Sequence, residues 1–419
     1  MKMDILSTGE KIRRARIMKG CTLKDICKDR ISVSKLSCIE KGKMPAKIKE
    51  LEFIAQELDL PLEYLVQTEE EQLENVIREL EGIEDPDRKI ELLETNLLYA
   101  EENGLKSCAF RLGHLLFNNY IQKDEKDRIQ RMIPRYYELW KKSGLKEGDL
   151  IFCRDMAGFL FSAGEYGQAA GYYRSLGKVS KKHRKLDAVA YAASCEAACH
   201  MKLGKYEQAY DAAVSLKEIV DRMKAGLEKA EAYKMLAMLS LRKANDKFAW
   251  YERKAYEFYD ENLEYKAEAM YDFASIMFDV AMKENATEYV KNALVLYPAK
   301  SQQDHAEFML KCIEELVEND VHEPAKEKCD QALNLAIKTG NLRHLEKAYY
   351  LKARVLEREG DSGSAEIYYN LSLDTLLKFG TNSDLQKKYM QVGEMYHRMG
   401  NTQEALRNLD FAIKMERRI

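Results

Sequence analysis

A short motif recurs down this chain with a period of about 40 residues, and such a period restricts the fold to stacked supersecondary units. GEYGQA ends at Ala169, GKYEQA at Ala209, NDKFAWY contains Ala249, GDSGSA ends at Ala365 and GNTQEA at Ala405. The steps from Ala169 to Ala209, Ala209 to Ala249 and Ala365 to Ala405 are equal, and the stretch from Ala249 to Ala365 is close to three such steps. Within it, ATEYV puts Tyr289 in phase and HEPA puts Ala325 in phase; stepping back from Ala169 reaches Ile129 and then Lys89. Each unit reads as a helix A, a tight turn and a helix B. In AVAYAASCEAACHMKLGKYEQAYDAAVSLKEIV, Gly204 makes the turn, Ala209 lets the helices approach, and Tyr206 and Tyr210 fill the groove beside it. Eight or nine such pairs account for residues 87–419. With only six prolines in 419 residues and few alternating apolar runs, the whole chain is expected to be all-α.

Several function classes are excluded at this level. No apolar run reaches about 18 residues, so no membrane-spanning helix and no membrane partner is expected. No signal-peptide pattern opens the sequence. The nine cysteines are scattered without a CxxC pair, which argues against a disulfide framework and for a cytoplasmic protein. Cys195, Cys199 and His200 share one helix, but a zinc site needs further ligands, so no metal is expected. Cys21, Cys27 and Cys38 read as a turn residue, a core residue and an exposed residue, not as a redox switch. No phosphate-binding loop, HExxH, GxSxG or dinucleotide fingerprint occurs, so neither catalysis nor a cofactor is expected.

The N-terminal 66 residues differ from the rest. They hold 14 Lys+Arg against 10 Asp+Glu, a balance of +4, which leaves −3 − 4 = −7 for the remainder. A basic head on an acidic body fits a small nucleic-acid module joined to a larger regulatory one. Helix one is expected over Gly9–Lys19 with Ile12, Ala15 and Ile17 inward and Gly20 as its stop. Thr22 caps a second helix, LKDICK, burying Leu23, Ile26 and Cys27. After a turn at Asp29–Ile31, Ser32 or Ser34 caps a third helix that buries Leu36 and Ile39 and stops at Gly42. Val33, Ser34, Ser37 and Cys38 then face outward, where a major groove would lie, and Lys35, Lys41, Lys43 and Lys47 suit flanking phosphates. With Thr22 at its cap, the DNA-binding set is Thr22, Val33, Ser34, Lys35, Ser37, Cys38, Lys41 and Lys43. Pro45 opens a fourth helix, Ala46–Leu58, with Ile48, Leu51, Ile54, Ala55 and Leu58 at helical spacing. Pro61 opens a fifth.

The run GEKIRRARIMKGCTLKDIC…SVSKLSCIEKGK…LEFIAQELDLPLEYL resembles the phage-repressor-type (Cro/C1, XRE) helix-turn-helix family over about 60 residues. The resemblance implies an ion pair between Arg16 and Glu40, which removes both as base contacts. The A-turn-B units resemble the tetratricopeptide repeat, whose family period, about 34 residues, is somewhat shorter. That likeness implies a right-handed α-solenoid with a concave face. A helix-turn-helix joined to such repeats in 419 residues resembles the peptide-pheromone receptors of Gram-positive bacteria, the RRNPP (Rgg, Rap, NprR, PlcR, PrgX) family, and in length its NprR branch. This implies a quorum-sensing transcriptional regulator that binds a short oligopeptide in its groove and changes its oligomer state and operator binding.

Expected domains are thus 1–66, a helical linker over 67–86, and the repeats over 87–419. The inner positions of helix A are counted back from each anchor at one fixed set of offsets, by which Ala169 gives Ile151, Arg154 and Gly158. From these the peptide-binding candidates are Arg111, His114, Asn118, Arg154, Tyr191, Ser194, Lys234, Tyr271, Tyr350 and Arg354. Asn118, Arg154, Tyr191 and Lys234 form the preferred clamp. Expected partners are double-stranded operator DNA, the signalling peptide and a second copy of the chain, as a homodimer or higher oligomer. Two rivals stand beside this: a Rap-like switch docking a response-regulator protein, and a ligand-independent dimeric repressor of a prophage or mobile element.

Overall fold

The computed structural model describes residues 5–28, 30–244 and 246–416, and among them every regular element is helical. Among the described residues there are 23 α-helices and one short 3₁₀ turn at Val220–Arg222. The chain divides into two compact units, residues 1–184 and 185–419.

The first unit opens with α1 (Thr8–Met18), α2 (Leu23–Cys27), α3 (Val33–Glu40), α4 (Ile48–Leu58) and α5 (Leu62–Val66). Their starts are chemically marked. Ser7 and Glu10 form a capping box on α1, Thr22 and Asp25 one on α2, and the Ser32 hydroxyl accepts from Lys35 N at 3.2 Å on α3. Gly20, at φ +69°, ends α1, and Lys28 adopts a left-handed conformation after α2. Asp29, in the expected turn, lies outside the described residues. Ile12, Ile26, Leu36, Ile39, Ile54 and Leu65 close one small core. Two expectations fail here. Ile17 is 57% exposed because position 17 falls on the face of α1 opposite Ile12. The fourth helix begins at Ile48, not Ala46; Lys47 is its cap residue, and Ile48, in the first turn, is 64% exposed.

Residues Glu69–Glu81 form a helix capped by Thr68 that buries Leu73, Val76, Ile77 and Leu80. It is fastened to the head. Leu6 N donates to the Gln72 side chain at 3.2 Å, and Gln72 Nε2 returns a bond to Leu6 O at 2.9 Å. Thr8 Oγ1 donates to Leu65 O at 3.1 Å. Lys11, 1% exposed, donates from Nζ to Tyr64 O and Gln67 O, each at 2.7 Å. Burial pushes the Lys11 pKa down, against Glu71 and Glu69, which favour the charged form. The ammonium satisfies carbonyls that the end of α5 leaves open.

After a helix at Pro86–Glu102 that packs on Lys106–Gln122, the helices pair. In the first unit, Lys106–Gln122 packs with Lys126–Ser143, and Gly148–Ser162 with Tyr166–Lys182. In the second unit the pairs are Leu186–Lys202 with Tyr206–Ile219, Leu227–Arg242 with Phe248–Tyr259, and Leu263–Asp279 with Lys283–Leu296. Gln302–Glu318 pairs with His322–Thr339, Leu342–Arg358 with Ser362–Leu376, and Asn382–Arg398 with Thr402–Glu416. A left-handed residue closes each A helix, at positions 124, 164, 204, 244, 281, 320, 360 and 400. The chain then closes with a six-to-one backbone bond, as in Glu165 N to Leu160 O at 2.9 Å and Val321 N to Leu316 O at 2.8 Å. These are tetratricopeptide-like pairs with the period that the motif indicates. A continuous apolar core runs from Val189 to Val355 in the second unit, as stacked repeats require.

The buried small anchors are Ala169, Ala209, Ala325, Ala365 and Ala405, as the motif indicates. Two anchors are different. Ala249 is exposed and Tyr251 takes the buried place, because the turn before Phe248 is two residues longer than in neighbouring pairs. In the following pair the fully buried anchor is Ala286, three residues before Tyr289.

Candidate functional site

The head presents α3 with its core face closed and its other face open. Leu36 and Ile39 are buried, Val33 is 44% exposed, Ser34 is exposed, and Ser37 and Cys38 are half-buried. The orientation of α3 is locked from behind. Arg16 Nε and Nη2 donate to the two Glu40 carboxylate oxygens at 2.7 and 2.8 Å, and Nη1 donates to Cys21 O at 3.1 Å. The Glu40 hydrogen bond holds the Arg16 pKa above its ordinary value despite burial. Gly9 makes the same approach possible on α1: a Cβ there would stand 2.3 Å from Ile39 O.

The flanking cations fall into two groups. Lys41 and Lys43 are exposed after α3, where Gly42 at φ +65° turns the chain. Lys35 is instead bound to Glu50, whose pKa is lowered chiefly by that hydrogen bond. Thr22 is exposed, but its hydroxyl and amide are both engaged with Asp25. Lys24, two residues after Thr22 on α2, is also exposed. Nothing in its local pattern separates it from an ordinary solvated lysine.

In the repeats, several inner positions of helix A carry bridges from one A helix to the next. In the first unit, His114 Nδ1 lies 2.6 Å from Asp155 Oδ2, a carboxylate that also accepts from Tyr136 OH. Asn118 Nδ2 donates to His114 O at 2.9 Å, and Arg111 lies 3.5 Å from Glu74. Arg154 is exposed on Gly148–Ser162.

In the second unit, Lys234 sits between Glu231 at 2.8 Å and Asp272 at 3.1 Å. Burial opposes its charge, but the two carboxylates outweigh it and its pKa is raised. Tyr271 OH donates to Glu315 Oε2 at 2.9 Å and its ring carries Lys311 at 4.0 Å. Tyr191 is half-buried, and the enclosed Ser194 hydroxyl has no hydrogen-bond partner among the described residues. Tyr350 OH accepts from Arg354 Nη1 at 3.1 Å, and the buried Lys388 ammonium stands 3.9 Å above its ring. The candidates therefore lie in both units, Arg111 to Arg154 in the first and Tyr191 to Arg354 in the second. Their acidic partners, Asp155, Asp272 and Glu315, are on the next A helix about one period away, and the motif count did not reach them.

Residues 9–71 match the family model described as a helix-turn-helix domain. A helix-turn-helix head followed by tetratricopeptide-like pairs is the class that the fold defines. No curated protein matches the sequence. Among solved structures, the chain is similar to the apo form of the quorum sensor NprR from B. thuringiensis, at 14% identity and TM-score 0.44, over 85% of this chain and 100% of that one. A Rap protein complexed with competence and sporulation factor matches at 14% identity and TM-score 0.46, over 83% and 96%. Bacillus thuringiensis PlcR in complex with the peptide PapR7 and DNA matches at 10% identity and TM-score 0.30, over 95% and 99%. At these scores the likenesses describe helical chains of comparable extent and assign no ligand to this one. No helix among the described residues is long and apolar enough to cross a membrane.

Proposed function

We propose that the protein is a transcriptional regulator that binds operator DNA through α3 and whose helix pairs receive a short signalling oligopeptide. One observation carries this most directly. The recognition helix is capped by Ser32, fixed from behind by Arg16 and Glu40, and left open on the face bearing Val33, Ser34, Ser37 and Cys38. Lys41 and Lys43 stand where phosphate contacts would orient it. Binding as a homodimer would give a palindromic operator with half-sites one helical turn, or a multiple, apart.

The roles of the lysines differ in a measurable way. Replacing Lys41 or Lys43 with alanine is expected to weaken operator binding uniformly across sequences and to lower the salt slope by about 1 each. Lys35→Ala should change the slope little, because its ammonium is held by Glu50. Retardation assays between about 50 and about 200 mM salt, where phosphate contacts dominate the change in affinity, read both effects. Equal slopes for all three variants would place the phosphates elsewhere.

The peptide part rests on the resemblance to the RRNPP receptors and on the polar character of the A-helix faces. Arg111, His114, Asn118, Arg154, Tyr191, Ser194, Lys234, Tyr271, Tyr350 and Arg354 remain its candidate contacts. Lys234 enters as a bridge between A helices, since it is already saturated by two carboxylates. A peptide can change DNA binding only by preferring one arrangement of the repeats over another. Titration calorimetry against C-terminal heptapeptides from a neighbouring small reading frame, with oligomer state and operator binding followed together, is the test. Saturable binding with a shift in either is expected. Operator binding with no response to any peptide would leave a ligand-independent repressor, and a complex with a response-regulator protein would favour the docking switch.

A further inference from the structure

A cleft of the second unit lies between its last two helix pairs, with a volume of about 540 Å³. Tyr350, Arg354, Glu357, Tyr369, Gln391 and Arg398 line it. Most cations around it are matched. Arg398 Nε donates to Glu357 Oε1 at 2.8 Å, and Arg358 lies 2.5 Å from Asp320. Lys347 pairs with Glu314 and Lys388 with Glu346, each at 2.6 Å. The other oxygen of Glu357 accepts from Tyr369 OH at 2.8 Å, so each oxygen of that carboxylate has a partner.

Arg354 is the exception. Its guanidinium is half-buried in the cleft wall, and its one hydrogen bond goes to the neutral Tyr350 hydroxyl. No carboxylate among the described residues forms an ion pair with it; Glu357 and Glu318 act on it only at longer range. A guanidinium carries five N–H donors in a planar fork, so four remain here, in a partly desolvated place. Such a fork matches a carboxylate in two parallel bonds, and burying it without one is unfavourable.

We propose that this cleft is a carboxylate-binding subsite, in which Arg354 takes an anionic group of a peptide ligand. The proposal rests on the peptide-receptor reading and adds the chemistry of one position. The carboxylate can be the peptide's own C-terminus or an Asp or Glu side chain, and the two sources are separable.

The test uses the full chain immobilised and three synthetic heptapeptide pools of random sequence: free acid, C-terminal amide, and C-terminal amide lacking Asp and Glu. Retained peptides are read by mass spectrometry, and the best is resynthesised for titration. Enrichment from the free-acid pool alone would identify the C-terminus. Enrichment of Asp or Glu at a fixed position in the second pool would identify a side chain. The third pool should give nothing that Arg354 affects. Arg354→Gln should weaken the selected peptide at least about tenfold, and Arg354→Lys less. Thermal melts of each variant check that the last pairs stay folded. Equal retention from all three pools, or a folded Arg354→Gln variant with unchanged affinity, overturns the subsite while leaving a peptide receptor standing. No retention from any pool overturns it together with peptide binding.

Discussion

Substituting Gly9 by alanine is expected to destabilise the DNA-binding head by about 3 kcal/mol, the upper end for an overpacked site. The added Cβ would stand 2.3 Å from Ile39 O and 2.9 Å from Glu40 O. Both atoms are backbone in the last turn of α3, so no side chain can rotate out of the way. The strain must be relieved by lifting α1 from α3, which would also open the Arg16–Glu40 pair. Amide exchange over residues 8–66 in the intact chain reads the loss, and operator affinity should fall with it. Wild-type exchange protection in Gly9→Ala would mean that α1 does not approach α3 this closely.

The second large effect is expected from Glu40→Gln. The Glu40 side chain is 5% exposed and that of Arg16 16%, and the pair shares two hydrogen bonds. Removing one partner of a buried pair costs about 3–5 kcal/mol, because the remaining charge stays without its counter-ion. Glutamine keeps the shape and one acceptor, so the lower end is expected. The combined change Arg16→Met with Glu40→Leu should recover most of the stability, since neither charge is then stranded. Urea titrations of the wild type and the two variants decide this; if the double variant is no more stable than Glu40→Gln, the pair contributes more than charge balance.

These two sites also show what the sequence makes legible. Caps, stops and much of the apolar spacing of α1 to α5 can be read directly, because Thr22, Ser32 and Gly20 act on backbone groups one turn away. The Arg16–Glu40 pair joins two helices distant in sequence, and it rests on family resemblance, not on spacing. Periodicity reached the repeats for a similar reason: a left-handed turn and a small anchor are local demands. It misplaced Ala249 and Tyr289 because the turn before Phe248 is two residues longer and the helix after it, Phe248–Tyr259, is shorter than its counterparts, which shifts the phase without altering the stack. Which inner-face side chains are open to a ligand was not legible. That depends on partners one period ahead, such as Asp155 for His114 and Asp272 for Lys234. Arg354 emerges only after its neighbours have been paired off.

The fastening at the base of the head has a mechanical meaning. Leu6 and Gln72 exchange two hydrogen bonds, Thr8 holds Leu65, and Lys11 clasps both Tyr64 and Gln67. Helix Glu69–Glu81 therefore meets the head as a keyed shaft meets its gear, without slack between them. Turning that helix against the head would break the Leu6–Gln72 bonds, a cost that a flexible tether would not carry.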